Sequence, residues 1–268
     1  MKELKDEIGA FCREQHLKLN TDLGQHFLVD QTVLDAIIAA AKIQPDDQII
    51  EIGPGIGVLT KELLKRTKNV TAIELDTRLI PLLRAYTGYE EFTVIENNAL
   101  QVPLPETPYK IVANIPYHIT SPLLRHMFLE SKTYPTSVTL LIQREVAEKI
   151  CDQQNGGILT VLVALFGTAR IVTHVPPWSF LPAPKVHSSV LHIDCYSEPK
   201  APIAAMEEIF ALTKIAFAQK RKMLRNSFGT FPGGLELLSA VGIDPTRRAQ
   251  TLSVEEWIAL AEAKKNNA

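Results

Sequence analysis

Apolar positions along the first half of the chain switch repeatedly between two repeat lengths. Over residues 32–41 they fall at Val33, Leu34, Ile37, Ile38 and Ala41, the spacing of one helical face, with Asp30 ahead of them as a cap. "QIIEIG" is a short apolar run ending in glycines, "GVLTKELLKR" returns to helical spacing, and "NVTAIELD" is a β-branched run closed by acids. Together they make one βαβ unit. The alternation continues with a helix at 77–85, strands at 92–95 and 109–113, a helix at 121–130, a strand at 137–142 and a helix at 144–151. This order predicts an α/β fold: a mostly parallel, Rossmann-like sheet with helices on both faces, which takes its ligand at the carboxyl ends of the strands.

From Ala169 the texture changes. "RIVTHVPPWSFLPAPKVHSSVLHIDCY" holds two strand-like pieces around a proline-rich loop, the pattern of an antiparallel hairpin at the edge of a sheet. Past "SEPKAP" only helical spacing remains, at 203–227, 235–241 and 254–263. A boundary near Pro199 therefore divides a sheet domain, residues 1–199, from a small all-helical C-terminal domain, residues 200–268.

Composition narrows the function classes. At 268 residues and 46% hydrophobic content the chain can bury a full core, and its net charge of −2 gives no global attraction to polyanions, so any nucleic-acid contact must come from local basic clusters. Cys12, Cys151 and Cys195 are scattered and form no Cys-x-x-Cys pair, and the seven histidines lack metal-ligand spacing. No metal is expected. "MKELKDEIGAFCREQ" mixes charges throughout, unlike a secretory signal, and "ILTVLVALF" is far too short to span a membrane. The expectation is a cytoplasmic, monomeric protein.

Two constellations carry chemistry. In "EIGPGIG", between a strand and a helix, Gly53, Gly55 and Gly57 have the spacing G-x-G-x-G, which departs from the G-x-G-x-x-G of pyrophosphate sites and favours a nucleoside ligand without phosphates. Some twenty residues on, Glu74 ends the next strand, where a carboxylate accepts hydrogen bonds from ribose hydroxyls. Glycines and acid together point to S-adenosylmethionine, and Asn98, after the following strand, is placed to meet its adenine. The second constellation is Asn114-Ile115-Pro116-Tyr117. An exocyclic adenine amine is a poor nucleophile, because its lone pair is delocalised into the ring. Donating its protons to the Asn114 side chain and the Ile115 backbone carbonyl directs that lone pair outward, Pro116 stiffens the turn, and Tyr117 gives the base a face to stack on. A base inside a duplex cannot reach such a pocket, so the substrate must be unpaired or flipped out. His118 has no assignable role.

"LGQHFLVD", "EIGPGIGVLT", "IELD", "NIPYHITSPLL", "QREVAEKI", "FLPAPKVHSSV" and "AFAQKRKMLRNS" resemble, in this order and across nearly the whole chain, the ribosomal RNA adenine dimethyltransferases, most closely the small-subunit (kasugamycin-resistance) type. The resemblance implies dimethylation of the N6 amine of two adjacent adenosines in the 3′-terminal hairpin loop of 16S ribosomal RNA, in an immature small ribosomal subunit. It implies that Gln25, His26 and Leu28 line the cofactor site, that Gly53, Gly55 and Glu74 hold the methionine and ribose parts, that Asn98 faces the adenine, and that Asn114 closes on cofactor and amine together. Phe180 becomes the second aromatic, sandwiching the base opposite Tyr117, and Lys185 of the same motif an RNA contact. Three positions depart from the family. "NNA" stands where Gly-Asp-Ala is usual, so Asn98 brings no charge. Ile115 replaces the leucine common in the small-subunit branch and matches antibiotic-resistance enzymes acting on large-subunit (23S) RNA. "GGILTVLV" lacks the usual Tyr-Gly-Arg string. "ITSPLL" and the long helical C-terminal region fit the small-subunit type better.

Lys214, Lys220, Arg221, Lys222 and Arg225 concentrate positive charge in what reads as one helical stretch, suited to gripping phosphates. Two other classes share part of the pattern. A nicotinamide dehydrogenase predicts G-x-G-x-x-G and has no use for residues 114–117. A non-catalytic ribosome assembly factor could keep fold and basic cluster but has no need of an intact acceptor motif.

Overall fold

The computed structural model describes residues 3–17, 24–219 and 221–266. In chain order its regular elements begin with α1 (Leu4–Glu14), β1 (Phe27–Leu28), α2 (Gln31–Ala41), β2 (Ile49–Ile52), α3 (Val58–Leu64), β3 (Val70–Glu74), α4 (Ile80–Thr87) and β4 (Thr93–Glu96). Next come β5 (Lys110–Asn114), α5 (Thr120–Arg125), β6 (Ser137–Gln143), α6 (Arg144–Cys151), α7 (Ile158–Phe166), β7 (Gly167–Val175), β8 (Phe180–Leu181) and β9 (Ser188–Cys195). Four helices close the chain: α8 (Ile203–Phe217), α9 (Leu224–Phe228), α10 (Gly234–Ala240) and α11 (Val254–Asn266). They group into two compact units, Met1–Ala147 with Ala169–Cys195, and Glu148–Thr168 with Tyr196–Ala268.

The first unit is built on the expected sheet. Among the described residues it has seven strands in the order β4-β3-β2-β5-β6-β9-β7. β4, β3, β2, β5 and β6 pair in parallel, and β9 turns the sheet antiparallel against β6. Central strands are buried on both faces, which is why "QIIEI" and "KIVAN" read as continuous apolar runs rather than alternating ones. α2 packs on β5, β6 and β9 through Val33, Leu34 and Ile37, and starts where Asp30 accepts from the Thr32 and Val33 amides. The helix expected at 121–130 is α5 followed by a π-helical turn, His126–Glu130. The hairpin expected after Ala169 lies at the sheet edge with its later strand, β9, inside and β7 outermost. One pairing was not foreseen: β1 and β8 form a two-stranded antiparallel ribbon, with Phe27 opposite Leu181 and Leu28 opposite Phe180.

The second unit is helical. α8 packs on α11, α9 and α7 around Trp257, whose ring lies 6.0 Å from that of Phe217. α11 opens with a reciprocal cap, Ser253 accepting from the Glu256 amide and Glu256 from the Ser253 amide. Two boundaries differ from those read in the sequence. The cut near Pro199 is replaced by a discontinuous division, because "ILTVLVALF" folds as α7 and groups with the C-terminal helices. The single helix expected over 203–227 is two helices: α8 stops at Phe217, and α9 begins where the Leu224 and Arg225 amides bind the carbonyls of Arg247 and Pro245. Arg221 and Lys222 thus sit in an exposed turn, not on a helix face.

A buried polar ladder crosses the sheet. His192 on β9 sits opposite Thr139 on β6; its Nδ1 lies 2.8 Å from the Thr139 hydroxyl and its Nε2 3.2 Å from Asp194. A carboxylate only accepts, so Nε2 carries the proton and Nδ1 accepts from Thr139. Burial lowers the His192 pKa, Asp194 opposes the shift, and Arg170 and Lys42 reinforce it. A depressed folded pKa makes this contribution complete above about pH 6.5 and loses it as pH falls below that value, where the unfolded chain takes up the proton first. The melting temperature should therefore decline from about pH 6.5 to 5, and His192→Asn should flatten the decline while lowering stability at neutral pH. An unchanged slope in the variant would reject the assignment.

Candidate active site

The strand order reverses between β2 and β5: β3 and β4 lie on one side, β6 on the other. The two chain ends leaving β2 and β5 diverge there and open a crevice, as in other open α/β sheets. A cleft of about 1130 Å³, counting its solvent-open part, occupies this place, lined by residues following β2, β3, β4 and β5 and by the segment leading into β1.

Its first half is acidic and partly apolar. The Glu74 carboxylate is buried at the end of β3 and accepts from the backbone amides of Gly55 at 3.1 Å and Asp76 at 2.8 Å. Burial raises its pKa, and these amides oppose the shift by stabilising the charged form. Each oxygen keeps a lone pair for a further donor. Gly55 is constrained twice: its φ is +61°, and a Cβ there would stand 2.8 Å from the Phe27 ring. Glu51, 1% exposed, lines the same cleft, and its Oε2 has no hydrogen-bond partner among the described residues. Burial, reinforced by Glu74 and opposed by Thr60, pushes its pKa up to about 8. Leu75 lines the cleft although 59% exposed, an apolar face without a covering side chain. Asn98 also lines it, while its Oδ1 accepts from the Leu100 amide at 3.0 Å in an Asx turn.

Asp76 ties this half to the N-terminal segment. It accepts from Gln25 Nε2 at 2.7 Å and pairs with Arg78, which together hold its pKa down at about 2 against burial, Arg78 contributing most. Gly24 packs tightly beneath: a Cβ on it would meet Pro116 at 2.9 Å.

The second half centres on Asn114 at the end of β5. Its Nδ2 donates to the His26 backbone carbonyl at 3.1 Å. A carbonyl can only accept, so chemistry alone fixes which way the amide faces, and Oδ1 is the atom left for a donor. The Pro116 carbonyl is engaged by the Ile119 amide at 3.1 Å. The Tyr117 hydroxyl is 2.6 Å from Ser188 Oγ at the start of β9. Burial raises its pKa and Ser188 opposes the shift, so the phenol stays neutral. The ring lying near-parallel to Tyr117 is that of His26, 16° apart in plane and 6.3 Å between centroids. His26 is held in turn by Nδ1 against the Pro182 carbonyl at 2.7 Å.

Gln25, His26, Leu28, Gly53, Gly55, Glu74, Asn98, Asn114, Ile115 and Tyr117 all line this one cleft. Phe180 does not. It is 3% exposed, held in the β1–β8 ribbon and packed in the core with Phe27 and Leu28. Lys185, Arg221, Lys222 and Arg225 are exposed, and Lys220 lies outside the described residues. His118 is exposed at the cleft wall. Sequence reading passed over Glu51, Leu75, Asp76 and Ser188. All four stand inside quoted motifs that hold assigned residues, which was their only signal; no local pattern carries the link of Ser188 to Tyr117, which spans 71 residues of chain.

Comparison with known proteins agrees with this geometry. The family model described as "Ribosomal RNA adenine dimethylase" matches residues 16–266. A protein named ribosomal RNA small subunit methyltransferase A from Clostridium botulinum is 41% identical over 258 residues, covering 91% of this chain and 94% of that protein. One of the same name from Dehalococcoides mccartyi is 42% identical over 253 residues, covering 90% and 87%. Among solved structures, a dimethyladenosine transferase from Plasmodium falciparum superposes with a TM-score of 0.77 at 28% identity, covering 90% of this chain and 98% of that one. The 23S rRNA methyltransferase ErmE gives 0.71 at 29%, covering 88% and 98%. With a family match over nearly its whole length and relatives at 41% and 42% identity, the chain belongs to the ribosomal RNA adenine dimethylase family of methyltransferases.

Proposed function

We propose that the protein transfers methyl groups from S-adenosylmethionine to the N6 amines of two adjacent adenosines in the 3′-terminal hairpin loop of 16S ribosomal RNA, during assembly of the small subunit in the cytoplasm. The observation that carries this reading is the Asn114 amide, whose nitrogen is held by the His26 carbonyl so that its oxygen is the end left to accept from a donor. The names of the 41% and 42% identical relatives support the small-subunit target. The likeness to ErmE and Ile115 at the middle of the acceptor motif keep large-subunit RNA as the competing substrate in any test.

The cleft fits the cofactor. Glu74 would receive the ribose hydroxyls, Leu75 and Asn98 would border the adenine, and Glu51 Oε2, without a hydrogen-bond partner among the described residues, would suit the methionine ammonium. When bound, S-adenosylmethionine supplies an electron-poor methyl group on sulfur. Asn114 Oδ1 and the Ile115 carbonyl accept the two N–H bonds of the target amine, which directs its lone pair away from the ring. The neutral Tyr117 ring, fixed through Ser188, stacks on the base. No strong base is required, since the amine becomes acidic only after transfer; orientation and fixed dipoles do most of the catalysis. After one methylation a single N–H remains, so one acceptor suffices in the second round. Lys185, the turn residues Arg221 and Lys222, and Arg225 in the first turn of α9 supply phosphate contacts.

Two outcomes check this. Purified protein incubated with labelled S-adenosylmethionine should methylate small subunits lacking the modification and leave large-subunit RNA unlabelled; the reverse would overturn the substrate. Asn114→Ala should lower kcat by at least about a hundredfold with the melting temperature little changed, and near-normal turnover would refute its role. For the cofactor, Glu51→Gln should weaken S-adenosylmethionine binding by about tenfold in calorimetry, as expected for loss of a charge-assisted bond. Unaltered affinity would remove Glu51 from the site.

A further inference from the structure

Trp178 stands apart from the cleft just described. It is 69% exposed, more than any other large apolar side chain among the described residues, yet its backbone is tightly held. The turn Pro177–Ser179 follows Pro176 and is pinned at Ser179: its amide binds the Pro176 carbonyl, its carbonyl accepts from Val29 at 2.8 Å, and its hydroxyl donates to Asp30 at 2.8 Å. Val175 and Phe180 on either side are buried. The indole is therefore displayed by a rigid turn rather than left on a loose one.

The same connection runs directly to the acceptor residues. Phe180 and Leu181 pair with Leu28 and Phe27, the Pro182 carbonyl holds His26, and Ser188 holds Tyr117. Between His26 and Asp30 the ribbon spans about 13 Å at roughly 3.3 Å per residue, a few nucleotides of an unpaired strand. Charge points the same way. No aspartate or glutamate occurs between Asp152 and Asp194, in a chain whose acids outnumber its bases 30 to 28, and Lys185, His174 and His187 are exposed in this span. A rigid aromatic face on a stretch of chain that carries cations and no acids of its own, with the Asp30 carboxylate beside it engaged by the Ser179 hydroxyl, is what sequence-tolerant stacking on unpaired bases requires.

We propose that Trp178 is a stacking platform for an unpaired RNA base a few nucleotides from the target adenosine, gripping the strand while the target enters the cleft. This rests on the RNA adenine methyltransferase reading above. Stacking on one base implies about a tenfold loss of RNA affinity when the ring is removed. Trp178→Ala should raise the KM for unmodified small subunits by about that factor, with kcat at saturating RNA and S-adenosylmethionine affinity unchanged; Trp178→Phe should recover most of the loss. Trp257, the second of two tryptophans, is fully buried, so quenching of the exposed indole by a hairpin RNA reports Trp178 directly without turnover. Equal KM values for wild type and Trp178→Ala, or no quenching by an RNA that the wild type methylates, would overturn the proposal. A changed oligomeric state with unchanged RNA KM would equally overturn it, assigning the ring to a contact between copies. If the wild type methylates no RNA, the functional reading itself fails, which the wild-type control separates from failure of the platform.

Discussion

The bond from Asn114 Nδ2 to the His26 carbonyl is the contact on which the functional half of the molecule turns. Its net contribution to folding stability is only about 1 kcal/mol. Its effect on chemistry is larger, because an amide has one acceptor and one donor end, and reversing them would present N–H groups to an amine that needs acceptors. The bond also joins β5 to the N-terminal segment, so the residue proposed to grip the amine is tied to the residues that shape the proposed cofactor end. Gly24 against Pro116, Gln25 on Asp76 and Phe27 against Gly55 continue the same seam.

Electrostatics divide the cleft by role. Two buried carboxyls, Glu51 and Glu74, face its cofactor half, and the first is held largely protonated near neutrality by burial and by the second. An arriving ammonium would relieve that repulsion, so the pair suits the cationic, phosphate-free nucleoside proposed above. Among the described residues the acceptor half carries no buried charge. It relies on carbonyl dipoles and on a tyrosine kept neutral, as suits a reaction whose proton leaves only after the bond is made.

Most of the sheet was legible because its central strands are buried on both faces and its helices on one, which writes two distinct periods into the sequence. The residues at strand ends were legible for the same reason: once β2, β3 and β5 are located, Gly55, Glu74 and Asn114 must follow them. What local pattern cannot carry is pairing across long separations. The β1–β8 ribbon brings residue 28 against residue 180, and it is this pairing that buries Phe180 and leaves Trp178 outside. "ILTVLVALF" could not be assigned because a helix that is apolar nearly all round has no polar face to reveal its period. The break after α8 is set by the carbonyls of Pro245 and Arg247, some twenty residues downstream of the amides they bind.

The account depends most on the Asn114 amide meeting the target amine. A crystal structure of the protein with S-adenosylhomocysteine and an adenosine-containing hairpin RNA measures this directly. The predicted result places adenine N6 within about 3 Å of Asn114 Oδ1 and of the Ile115 carbonyl, with Nδ2 still on the His26 carbonyl and Tyr117 against the base. A base seated elsewhere, or N6 closer to Nδ2 than to Oδ1, would contradict it.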